Sequence, residues 1–139
     1  MKTIGVVLVT LAMIIGILPQ FTDCMAQGGA LQLSNGSTLP MRCHWTRQAE
    51  VAVALPLGVV GAVVLVNRRR QTLRVALIIG IALSAAAVLL PTYLIGVCAS
   101  EDMVCNMVMK PALVFAGVVA TLTNLVGLVY LRGDMRPSR

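Results

Sequence analysis

Long apolar runs separated by short polar stretches organise this chain, and four of them are long enough to cross a bilayer: about residues 3–21, 47–66, 75–95 and 111–131. A helix rising about 1.5 Å per residue needs about 20 apolar residues to span a hydrocarbon core of about 30 Å. The second run is the shortest, because Val51 to Val66 is brief and Pro56 interrupts it. Counting back one membrane thickness from Val66 starts that span at Arg47, which sets Glu50 near the membrane edge and Trp45 at the headgroup level. Pro56 and Pro91 are expected to kink their helices, and Pro111 to open the fourth helix at its first turn, where no amide donor is needed.

The pattern therefore predicts an all-α membrane protein, one domain over residues 1–139, built as a four-transmembrane-helix bundle. Composition agrees: 58% of residues are hydrophobic and 12% charged, with a mean hydropathy of +0.91. A soluble domain with a solvated surface does not have these proportions. Lys2 ahead of an apolar stretch also fits a signal peptide, but no small-residue cleavage pattern precedes Gln27, so the first helix is expected to stay uncleaved.

Charge sets the expected orientation. Lys2, Arg68, Arg69, Arg70, Arg74, Arg132, Arg136 and Arg139 fall on one side, and Arg42, Arg47 and Lys110 on the other. Since cytoplasmic loops keep the excess of Lys and Arg, both termini are expected in the cytoplasm of a plasma-membrane protein. The formal net charge of +6 is then mostly a topology signal, and scattered basic residues of this kind make no nucleic-acid interface.

Two loops, about 22–46 and 96–110, are expected on the outer face. The first is rich in Gly, Ser and Asn around Ser34-Asn35-Gly36-Ser37, a composition for turns and one short hairpin. All four cysteines, Cys24, Cys43, Cys98 and Cys105, fall in these loops, where an oxidising setting favours disulfides that brace a small extracytoplasmic cap. Cys24 with Cys43 and Cys98 with Cys105 is the preferred pairing; Cys24 with Cys105 and Cys43 with Cys98 stays open. The two halves also echo each other. Leu18-Pro19-Gln20-Phe21 resembles Leu90-Pro91-Thr92-Tyr93, and Met41-Arg42-Cys43 resembles Met103-Val104-Cys105, the marks of a tandem two-helix repeat about an axis along the membrane normal.

Three groups of residues could carry chemistry. Thiol redox work of the four-helix, quinone-coupled kind needs a C-x-x-C, and the spacings here are eighteen and six intervening residues, so that signature is absent. Met103, Cys105, Met107 and Met109 alternate, and with His44 they form a candidate copper site if a strand puts them on one face. His44, Trp45, Arg47 and Glu50 make the densest polar cluster, expected as an Arg47–Glu50 ion pair beside an interfacial Trp45, or as a docking site. The span interiors otherwise lack ionisable residues, which argues against a pump or proton-coupled carrier. Small residues at Gly80, Ser84, Gly117 and Thr121, beside Asn124, predict close helix packing.

Cys43-His44-Trp45-Thr46 followed by Ala49-Glu50, with Leu90-Pro91-Thr92 and Ile95-Gly96-Val97-Cys98, resembles an uncharacterised family of small four-span prokaryotic membrane proteins catalogued as a domain of unknown function. The resemblance covers nearly the whole chain. It implies a bacterial or archaeal plasma membrane, no established activity, and a membrane protein partner such as an ABC transporter permease. The expected role is a non-enzymatic accessory or scaffold subunit with no cofactor; the alternative is an extracytoplasmic thiol-redox or copper-binding membrane protein.

Overall fold

The computed structural model describes residues 2–22, 31–32, 34–36, 38–39, 42–96 and 105–133. Four helices, each long and apolar enough to cross a membrane, make this a multi-pass membrane protein: α1 (Lys2–Thr22), α2 (Arg42–Val66), α3 (Arg70–Leu89) and α4 (Lys110–Gly133). They form a closed ring in which α1 packs on α2, α2 on α3, α3 on α4 and α4 back on α1. One end carries the α1–α2 and α3–α4 connections and is called the cap end. The other, with the α2–α3 turn and the start of α1, is the arginine end. At the cap end Leu31–Gln32 pairs antiparallel with Thr38–Leu39, and Gly36 sits at φ 78° in the intervening turn, the short hairpin expected there.

Two prolines stand at helix ends. Pro91 has no N–H and cannot continue the usual ladder. The chain widens into a π-helical turn over Leu90–Leu94, and Leu90 O accepts from both Ile95 N, at 3.0 Å, and Gly96 N, at 3.1 Å. Pro111 stands in the first turn of α4, as expected, and a π-helical turn at Cys105–Met109 runs directly into that helix. The second helix also begins at Arg42, not Arg47. Residues 42–50 are helical although they are polar, so an apolar-run criterion misses them.

The helices meet along seams of small residues. In the α1–α2 pair, Gly61 faces Leu8 and Val9, Gly58 faces Ala12, and Gly16 faces Ala54. In the α3–α4 pair, Gly80 faces Asn124, Gly117 faces Val88, and Gly127 faces Leu77. Small residues let backbones approach closely, and close packing drives association where lipid removes the hydrophobic force between helices. The Gly80, Ser84, Gly117 and Thr121 pattern is thus used within the chain: Thr121 Oγ1 reaches Ser84 Oγ at 3.0 Å. Leu8, Ile15, Leu57, Leu77 and Leu113 fill the centre.

Candidate functional site at the cap end

The first turns of α2 carry the cluster singled out by sequence, and helical geometry divides it between two faces. Trp45 looks outward and His44 is half-buried. Trp45 is 56% exposed, its ring edge-on to His44 with centroids 6.0 Å apart, and His44 Nε2 lies 3.3 Å from Gln48 Nε2 one turn on. Arg47 is half-buried. Thr46 and Glu50, four apart, share the inward stripe that continues through Ala54 and Leu57, and both are fully buried.

Thr46 is the residue that sequence reasoning missed. Its hydroxyl donates to Gly96 O at 2.7 Å, tying the start of α2 to the end of the π-helical turn after α3. The only hint was its place four residues before Glu50.

Glu50 differs from its expected role. Its side chain points into the bundle, and neither carboxylate oxygen accepts a hydrogen bond from the described residues. The hydrogen-bonded ion pair with Arg47 is therefore not formed. The reason is angular: three residues along a helix turn a side chain about 60° away, enough here to send Glu50 to the interior and leave Arg47 at its margin. Continuing the α1–α2 register one turn past Gly16 and Ala54 puts Pro19 and Gln20 level with Glu50, and Pro19 is buried. Pro91 on the turn after α3, Met109 on the π-helical turn before α4, and Leu113 on α4 are buried at the same end. An acidic side chain is thus buried at the same end as prolines and aliphatic groups, and a buried polar group without a hydrogen bond costs several kcal/mol, about 2–7 on transfer scales.

The alternating methionines do not converge. Residues 105–109 are helical and not extended, so the two-residue period places them on different faces: Met107 is exposed and Met109 fully buried. Among the described residues no three His, Cys, Asp or Glu gather as a metal cluster. Cys24, Cys98 and Met103, and the side chains of Cys43 and Cys105, lie outside the described residues, so the expected disulfides do too.

Fold and site together define a class: a four-span helical bundle with packed small-residue seams and a single ionisable side chain fully buried among the described residues of its core. The chain belongs to the family described as domain of unknown function, DUF4418, whose model matches residues 3–130. No curated protein and no solved structure matches it.

Proposed function

We propose that the protein is a non-enzymatic accessory or scaffold subunit of a larger membrane assembly, and that its cap end is the docking surface. In this reading the cap end faces outward from a bacterial or archaeal plasma membrane, both termini are cytoplasmic, disulfides brace the cap, and the partner is a membrane protein such as an ABC transporter permease. The observation that carries the reading is Glu50, fully buried with neither oxygen bonded to a described residue.

We also infer that the two helical hairpins are tandem copies, and this bears on Glu50. Supporting it, one constant shift in the first helix and another in the second carry the pair Leu8 and Gly61 onto Gly80 and Asn124, Ala12 and Gly58 onto Ser84 and Thr121, and Gly16 and Ala54 onto Val88 and Gly117. Buried Pro19 falls on buried Pro91. The same shifts carry Glu50 onto Leu113 and Thr46 onto Met109, both nearly or fully buried. An aliphatic side chain fills that place in the second hairpin, so packing does not require a carboxylate in the first. Buried ionisable groups in membranes are expensive and mark function. Because Glu50 is fully buried, a partner would complete its missing bonds only by parting the helix ends at the cap and bringing donors to it.

Most other polar groups of the spans bond to their own helices, although Asn124 Oδ1 is also buried without a hydrogen bond among the described residues. Thr10, Thr123 and Ser84 donate to carbonyls one turn back, and Asn124 does the same through its amide. That inventory suits a scaffold better than a catalyst. The test is purification from native membranes in mild detergent after crosslinking in place. The wild type is expected to bring down a stoichiometric membrane partner, and Glu50→Leu to fold equally well yet lose it. A wild type recovered alone after crosslinking sinks the proposal.

A further inference from the structure

At the arginine end, α2 and α3 are joined by Asn67, Arg68 and Arg69 alone. The turn is held tightly: Asn67 N donates to Val63 O at 2.8 Å, Leu73 N to Arg69 O at 3.0 Å, and Arg69 N to the Asn67 side chain at 3.2 Å. Away from this turn the two helices leave a trench of about 680 Å³ between them, walled by Val59, Val63, Val75 and Ile79 and ending at Arg69 and Thr72. Val59, Val75 and Ile79 are all exposed, so the trench opens towards the surroundings of the bundle and not into its core.

The trench is chemically graded along its length. Branched aliphatic side chains line the part at membrane depth, and a guanidinium and a hydroxyl stand at its mouth. Beside that mouth a second cavity of about 320 Å³ is lined by Lys2, Asn67, Arg68 and Arg70. No Asp or Glu occurs among the described residues of this end, so every charged side chain described there is positive. An occupant must therefore carry a long apolar portion and a compact anion at one end. A transmembrane helix of a partner would fill the trench but leave Arg68 and Arg69, both exposed, uncompensated. A zwitterionic lipid would bring a cation into a positive field.

We propose that this trench is a binding site for one anionic phospholipid, with an acyl chain laid between α2 and α3 and the phosphate at Arg69. Guanidinium groups match phosphate geometry through paired hydrogen bonds, and basic pockets between transmembrane helices take anionic headgroups. The site is independent of the docking role of the cap end, since it lies at the opposite end of the bundle.

Native mass spectrometry of the full chain in mild detergent, titrated with phosphatidylglycerol or with phosphatidylcholine of the same chains, tests this. One phosphatidylglycerol is expected to bind about tenfold more tightly than phosphatidylcholine, a difference of about 1.4 kcal/mol. Arg69→Gln should remove that preference, while Arg132→Gln, an exposed arginine at the same end but outside the trench, should leave it. Val59→Trp, at an exposed position, should block both lipids by filling the trench. Equal binding of the two lipids by the wild type would overturn the proposal. So would equal losses in Arg69→Gln and Arg132→Gln, which mean diffuse charge, or full displacement by inorganic phosphate, which means a headgroup site without the trench.

Discussion

The side-chain oxygen of Asn124 occupies the space in which a β-carbon on residue 80 would stand, so α3 and α4 can approach this closely only because position 80 is glycine. The Asn124 amide donates to Ala120 O at 2.8 Å and holds the side chain in place. Gly80→Ala is expected to cost about 1–3 kcal/mol, the usual range for overpacking a tight core. Adding Asn124→Gly removes the clash, so the double variant should melt above Gly80→Ala alone in detergent. A double variant that is worse than the sum of its parts would show that the seam is held by something other than this contact.

Thr46 and Gly96 make a second testable pair. Thr46→Val keeps the shape and deletes the 2.7 Å bond, a loss of about 1 kcal/mol, larger if the carbonyl stays dry. Its local sign is faster hydrogen exchange at the amides of Ile95 and Gly96, which both bond Leu90 O. Unchanged exchange there would mean that the contact does not hold the π-helical turn.

For Glu50 the direction of the effect depends on the replacement. Glu50→Leu fills the space with the residue type found at position 113 and should leave stability unchanged or raise it by about 1–4 kcal/mol, as when buried ionic groups give way to apolar ones. Glu50→Ala opens a void and should lower the melting temperature. Arg47→Ala should couple only weakly to either, because no hydrogen-bonded bridge joins Arg47 to Glu50. A strong coupling in a double-mutant cycle would restore the ion pair expected from their spacing.

Reporter fusions address orientation directly. Fusions at Gln71 and Arg139 should read cytoplasmic and one at Asn35 external, since the arginines near the α2–α3 turn carry the topology signal. An external reading at Gln71 inverts the protein.

Cys43→Ser should release a new free thiol, on Cys24 if the loops are closed locally and on Cys98 if they are cross-paired. Mass mapping of the alkylated peptide distinguishes them. Free thiols at all positions in the wild type would remove the disulfide premise.

The spans were legible because about 20 apolar residues in a row have few fates other than a bilayer. Gly80, Ser84, Gly117 and Thr121 were legible as a seam because small residues at helical spacing have a packing use. What faced them was not, since the partner of Gly80 depends on how α3 and α4 slide past each other. The start of α2 was lost for a related reason: Cys43 to Glu50 looks like a loop to any measure of apolarity, yet a helix needs only its backbone bonds. Glu50 was placed by its neighbour Arg47, three positions away, whereas the stripe through Thr46, Ala54 and Leu57 decides which way it points. Met107 and Met109 were read on a strand period and stand on a helix, so their shared face disappears.

Because α4 closes the ring against α1, the first and last helices are neighbours, and Lys2 and Gly133 leave the bundle at the same end. A short flexible linker between them would join the termini without crossing the membrane. New ends could then be opened in the α2–α3 turn, giving a circular permutant that begins at α3 and still places every helix in its native surroundings. In such a permutant chain order and spatial order would be separated, with the second hairpin leading.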